Sequence, residues 1–583
     1  MKYIYHVFFA LFAASASFAA TVDLSTLTGD YEALDGYVLT GTLEGKDQPY
    51  KISIADGAKV TLSDATINGV NDLELDWAGL TCLGNCTIHL SGSNIVKGHS
   101  YYPGIQAAKR VGEGDEYTLT IEGDGSLEAT GGSEGAGIGS AWRVNCGNIT
   151  ISGGIVTAMG GDYGAGIGGG DQRTSGNIVI SGGTVTAVGG KNAAGVGGGR
   201  EATCGAITIS GGEVSATGGD GAAGIGGGFV GTSGDITITN GVTRVVAIRG
   251  RGAPYHSVGA GDMGEVGKVT IGGVEGAIAK KIFVFPATPV DVVAVGGKTF
   301  AVVDGDYNGD AALSITKDKS VDKVVFDRTF PAIDGENNYS TIMFPFEISA
   351  NKVGNVKQVF SFLGIDVDEQ NRKYVAVEQV DKFEAYKPYL IQLESGETSI
   401  SINNTSPLVL KATPTDPGAY DVAQADDYNE VGDYVLRGVI QAKSWGADDP
   451  DVLGTSNAAA YGFAGTATAD LTVGQFARVG EGASIRPFRA YIYKKPVSQA
   501  APPAVESSVP YAYQPAPVDD LPDVMDVVVV DRKTSGEERT TVIGKFNSRT
   551  GKIRLNRTTR TYDLNGRHVR KAGRMAKGVY LGK

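Results

Sequence analysis

The sequence predicts an all-β chain whose first part is a right-handed parallel β-helix of about eight coils. Three observations carry this. Gly-Ala-Gly-Ile-Gly, from Gly135 to Gly139, returns from Gly164 to Gly168 and, in variant form, from Ala193 to Gly197 and from Ala222 to Gly226, each time after 29 residues. Ile151, Ile180, Ile209 and Ile238 keep the same step, each followed by Ser or Thr and a Gly-containing turn. Glycine supplies 86 of 583 residues, about twice the usual share, and concentrates between Gly92 and Gly273.

Within a coil, Ile149, Ile178, Ile207 and Ile236 stand two positions before those isoleucines, the alternation of a half-buried strand. Val156, Val185 and Val214, followed two positions on by Ala158, Ala187 and Ala216, give a second inward stretch. Ile138, Ile167, Val196 and Ile225 give a third. No room remains for a helix, so successive coils pair directly, about 4.8 Å apart. Gly153, Gly182 and Gly211, with Gly160, Gly189 and Gly218, fall where the chain bends, and positive φ is expected there.

Degenerate coils extend the pattern back through Leu119 and Ile121, Ile88 and Leu90, and Val60 and Leu62. Forward, Val269 and Ile271 follow after 33 residues rather than 29. The column runs from near residue 37 to near residue 275, within a domain assigned to 20–281. The repeats, which read Gly-Ala-Gly-Ile-Gly-Gly followed by Asn-Ile-Thr-Ile-Ser-Gly-Gly, resemble those of secreted polysaccharide-binding β-helix proteins and of adhesin-type surface proteins. The resemblance spans about 240 residues and implies an extracellular, non-catalytic binding role.

Ahead of the β-helix, Lys2, the apolar stretch from Ile4 to Ala14 and Ser17-Phe18-Ala19 have the form of a secretory signal peptide, residues 1–19. No segment reaches the roughly 20 apolar residues of a membrane-spanning helix. The expected location is therefore secreted or on the outer cell surface. Behind the β-helix, 282–495 reads as a β-rich, sandwich-like domain of unknown role. Its strands are expected at Tyr339 to Phe346, Pro388 to Ile391 and Arg489 to Tyr493.

Six prolines between Pro502 and Pro522 mark 496–523 as a semi-rigid linker. Residues 524–583 read as a small basic β module. Tyr562-Asp563-Leu564-Asn565-Gly566-Arg567 and Gly578 to Lys583 resemble the closing motifs of type IX secretion sorting domains, with Asn565-Gly566 as a hairpin turn. That resemblance implies the secretion machinery as a partner. Residues 531–583 hold 15 Lys+Arg against 4 Asp+Glu, so the net charge of -14 leaves about -25 on the rest. An acidic body argues against nucleic acid as a partner.

Catalytic signatures fail on context. Gly131-Gly132-Ser133-Glu134-Gly135 matches a nucleophile elbow, but Ser133 occupies the turn column of Asp162, Lys191 and Asp220, with no strand-to-helix turn. Gly297-Lys298-Thr299 has Val292 where a P-loop needs glycine. His89, His99, His256 and His568 are too scattered for a zinc site. Arg244, Arg249 and Arg251 form the one basic cluster that a polysaccharide lyase could use, and a solvated cap is the better reading of them. The expectation is no enzyme and no cofactor. Asp162, Asp171, Asp220 and Asp235 could contribute Ca²⁺ ligands, yet no dense Asp-x-Asp loop supports them.

Cys82 and Cys86 flank Leu83-Gly84-Asn85 and could close a turn as a disulfide. Cys146 and Cys204 stand two coils apart, about 9.6 Å, too far for a disulfide. Trp142, Asp171, Arg200 and Phe229 follow one another at 29-residue steps in the turn after Gly-Ile-Gly and are expected to line one exposed outer edge, with Arg143, Gln172 and Glu201 beside them. Aromatic faces pack on sugar C–H faces and charged groups pair with hydroxyls. The ligand expected is thus a polysaccharide or surface glycan; a turn that simply varies, with Asp171 and Arg200 as a weak surface pair, is the alternative. Other functional readings are a structural adhesin with a protein partner and a β-helix lyase or hydrolase.

Overall fold

The computed structural model describes residues 20–532 apart from 71, 73, 109–116, 143, 252–255, 296, 332–337, 368–371, 426–433, 450–459, 465–473 and 495–521, together with four short strands between 541 and 569. The expected signal peptide and residues 496–521 of the expected Pro-rich linker lie outside the described residues. The chain divides into two units, Met1–Pro286 and Ala287–Lys583.

The first unit is a parallel β-solenoid. Its strands pair in one register, Ile149 with Ile178, Ile178 with Ile207, and Ile207 with Ile236. Ile151, Ile180, Ile209 and Ile238 pair likewise and are all fully buried. Val156, Val185, Val214 and Val245 form a second interior ladder. A nine-stranded sheet runs through the Ile-Gly pairs, among the described residues, from Tyr31–Ala33 to Val258–Gly259. Eight of its strands fall in the expected span and Tyr31–Ala33 precedes it. A further short ladder, absent from the sequence reading, joins Thr203–Cys204, Thr232–Ser233 and Glu265–Val266.

Two features hold the coils in register. Asn148 Oδ1 accepts the backbone N–H of Asn177, and Asn177 Oδ1 accepts that of Ala206, both at 2.8 Å. The Asn before Ile149 and before Ile178 thus satisfies a corner amide of the next coil, a group that would otherwise be costly to leave unpaired. Glycine serves closeness more than bending. Left-handed backbone falls at Gly154, Gly183 and Gly212 (φ +82°, +82° and +76°), one residue after the expected Gly153, Gly182 and Gly211, as in turns whose second central residue carries positive φ. At Gly160, Gly189 and Gly218 φ is not positive; a Cβ there would collide with the carbonyl oxygens of Gly164, Ala193 and Ala223.

The C-terminal end of the stack is closed by antiparallel returns. Val274–Glu275 pairs with Thr270–Ile271, and Ile282–Phe285 pairs with Val245–Ile248. Covering an open sheet edge in this way prevents edge-to-edge association. Ile282–Phe285 therefore belongs to the solenoid, which moves the expected boundary at 281 to Pro286.

Near the other end, His99 is buried (3% exposed), its ring edge-on to Trp77 at 5.3 Å, and the Val70 N–H donates to its Nδ1 at 3.1 Å. Burial lowers its pKa below 6.5, against smaller upward pulls from the Val70 backbone and Asp72. A depressed histidine contributes stability that is complete above the unfolded-state value and lost as pH falls through the folded one. Solenoid stability should accordingly decline below about pH 6.5. Thermal melts across pH 4.5–8 should show this slope in the wild type and a flatter profile in His99→Gln.

The second unit is β-rich, with no α-helix among the described residues. Its largest sheet contains Tyr339–Met343, Pro388–Leu393, Val356–Val367 and Lys373–Val380, and continues to Ala490–Lys494 and Tyr434–Gly438. The strand expected to reach Phe346 stops at Met343, and beyond it Phe344 and Phe346 stack at 5.0 Å in the core. Val524–Arg532, expected in a separate basic module, pairs in parallel with Lys373–Val380 and antiparallel with Phe476–Arg478. Met525, Val527, Val528 and Val530 are buried there, so this segment is an integral strand of the second unit. Thr561–Tyr562 pairs with His568–Val569 across the expected Asn565-Gly566 turn, while 563–567 and 570–583 lie outside the described residues.

Candidate functional site

The corner after each Ile-Gly strand builds a two-column ridge. The backbone N–H groups of Trp142, Asp171, Arg200 and Phe229 donate to the carbonyls of Tyr101, Glu134, Tyr163 and Asn192, at 2.9 to 3.0 Å. Each residue of the expected strip is therefore anchored to a residue of the preceding coil. The second column went unnoticed in the sequence, although Glu134, Tyr163 and Asn192 also follow the 29-residue step.

Side chains pair across the two columns. The Tyr101 and Trp142 rings lie 5.1 Å apart, tilted by 40°. The Arg200 guanidinium lies 3.8 Å over the centre of the Tyr163 ring. Its Nε and Nη2 donate to the two carboxylate oxygens of Asp171, at 2.9 and 2.7 Å. This hydrogen bond raises the guanidinium pKa above the ordinary arginine value. Trp142, Arg200 and Phe229 are half-buried, whereas Asp171 is fully buried. The expectation of four exposed side chains in a line is thus corrected at Asp171, which lies beneath Arg200 and orients it. The pair is a bidentate, partly buried clamp rather than a loose surface contact.

Beside the ridge, Gln172, Glu201, Val230 and Met263 all take left-handed backbone, with φ between +51° and +57°. Gln172 and Glu201 are exposed, and Arg143 lies outside the described residues. A left-handed β-branched residue such as Val230 is strained, and such strain collects at functional corners. Val230 and Met263 are also 44% and 68% exposed.

The clamp makes an asymmetric prediction. Arg200→Ala leaves a buried carboxylate without its cation and should cost about 2–3 kcal/mol, somewhat less than a sealed ion pair because truncation admits water. Asp171→Ala leaves a cation that swings into solvent and should cost about 1–2 kcal/mol. Urea denaturation of both variants checks the order.

Residues 119–142, 149–171, 178–200 and 207–229 match the family model described as a beta helix repeat. Four coils of the first unit are thus similar to beta helix repeats. Each matched segment of the β-helix ends on the strip, at Trp142, Asp171, Arg200 and Phe229. Neither curated proteins nor solved structures yield a match.

Elsewhere on the β-helix the remaining candidates separate. Asp171 is held by Arg200, Asp235 accepts the Lys268 N–H at 2.8 Å, and Asp220 faces Arg251 at 3.5 Å on the surface. No group of three or more His, Cys, Asp or Glu side chains suited to a metal occurs among the described residues. Arg244 opens the strand Arg244–Ile248 and Arg249 follows its other end, so strand length separates them. Among the described residues no helix is long and apolar enough to cross a membrane. Cys146 and Cys204 are buried thiols, and burial pushes them up to about 12 and about 11.

Proposed function

We propose that this chain is a non-catalytic, surface-displayed or secreted protein that binds a polysaccharide or surface glycan along the corner ridge of its β-helix. The observation that carries this reading is the alignment of Tyr101 with Trp142, Tyr163 with Arg200, and then Phe229 along one edge. From Trp142 to Phe229 is three coil steps, about 14 Å, a length suited to a short stretch of an extended glycan. The aromatic groups are fixed by a backbone ladder before any ligand arrives, so little ordering entropy opposes binding. Arg200, its position set by Asp171, offers remaining donor hydrogens to hydroxyl or carboxylate oxygens.

Affinity electrophoresis of the full chain through gels containing plant or microbial polysaccharides tests this reading. Retardation is expected for at least one polysaccharide, with affinity falling about tenfold in Trp142→Ala and in Tyr163→Ala, or ~1.4 kcal/mol each. No retardation in any gel, or retardation of both variants equal to that of the wild type, would sink it. A protein partner is the second reading, favoured by the exposed Val230 and Met263 at the ridge's C-terminal end; in that case both variants bind glycan no differently from wild type.

A further inference from the structure

We propose that Cys82 and Cys86 are an oxidation site, joined as a disulfide across the Leu83-Gly84-Asn85 turn when the chain meets a small-molecule disulfide. Cys82 ends the strand Leu80–Cys82 and Cys86 opens the strand Cys86–Ser91. Both side chains point into the solenoid core and both stand as thiols.

The turn between the two cysteines is pinned to the preceding coil. The Leu83 N–H donates to the Ile54 carbonyl at 3.0 Å, and the Asn85 N–H donates to Asp56 Oδ1 at 2.8 Å. Ile54 is also the ladder partner of Cys82, and its carbonyl lies 3.8 Å from Cys86 Sγ. The Cys86 thiol reaches the Gly84 carbonyl at 3.6 Å; burial, and Cys86 beside it, push the Cys82 thiol up, while Cys82 pulls that of Cys86 down. Cys146 and Cys204 lack this arrangement, since Ser175 pairs directly with Cys204 in the coil between them.

The chemistry balances with oxidised glutathione as the co-reactant. The Cys86 thiolate attacks one glutathione sulfur and expels the other as glutathione thiolate. The Cys82 sulfur, giving up its proton, then attacks Cys86 Sγ and expels the second glutathione. Two protein thiols are oxidised and one external disulfide is reduced. Burial confines the exchange to the folding chain or to transient opening of this coil.

The test uses the full chain, refolded in oxidised and reduced glutathione, unfolded under acid quench, alkylated and digested with trypsin. Both cysteines fall in the peptide from Val60 to Lys97. That peptide is expected two hydrogens lighter than its reduced form and without alkylation. Peptides bearing Cys146 and Cys204 should be fully alkylated, and Cys86→Ser should leave Cys82 alkylated. Two alkylated cysteines in the Val60–Lys97 peptide, or a glutathione adduct on one of them alone, would overturn the proposal.

Discussion

Adding one methyl group at Gly197 should disrupt the solenoid more than most core truncations. Gly139, Gly168, Gly197, Gly226 and Gly259 occupy one column, each with φ between +126° and +145°. A Cβ built on Gly197 meets the Gly226 carbonyl oxygen well inside van der Waals contact, and that oxygen belongs to the backbone of the next coil. No rotamer change relieves it. Alanine there pays for left-handed strain, about 1–3 kcal/mol, and for overpacking, about another 1–3 kcal/mol. Gly197→Ala should therefore destabilise the first unit by about 4 kcal/mol, read as a lowered urea midpoint. Gly29→Ala, where φ is not positive and nothing lies within 4 Å of the added carbon, should change it by less than about 0.5 kcal/mol. Equal stability in the two variants would contradict the stacked-coil account of the glycine excess.

A chain truncated after Pro522 should lose the second unit. Its strand Val524–Arg532 is hydrogen-bonded on both sides, with Tyr374 opposite Asp526, Val377 opposite Val529, and Phe476 opposite Met525. Removing Met525, Val527, Val528 and Val530 forfeits about 6–10 kcal/mol of burial, comparable with the whole stability of a domain. Two sheet edges are exposed as well. Calorimetry should show the transition of the second unit abolished and that of the solenoid retained. Val528→Asp in the full chain should weaken the same transition by several kcal/mol, through an unpaired buried carboxylate. An unchanged second transition in the truncated chain would return 524–532 to an independent tail.

The legible and illegible parts of this molecule divide along the range of the interactions. Ile151, Ile180, Ile209 and Ile238 announced their ladder because a parallel solenoid converts a sequence step into a vertical step, so equivalent residues meet themselves. For the same reason Trp142, Asp171, Arg200 and Phe229 were recognisable as one column. Their exposure was not recognisable, because it depends on how Arg200 reaches down to Asp171 and sideways to Tyr163. Tyr101 escaped notice because it stands 33 residues before Glu134, out of phase with the 29-residue step. In the second unit no period links Val524–Arg532 to Lys373–Val380 about 150 residues earlier, and the Pro-rich stretch ahead of it suggested a break.

The most direct test of the ridge as the binding surface is hydrogen–deuterium exchange of the full chain with and without the polysaccharide that retards it most. Slowed exchange is expected, confined to segments containing Tyr101, Trp142, Tyr163, Arg200 and Phe229. Protection found only on other coil faces or only in the second unit, with these segments unchanged, would contradict it.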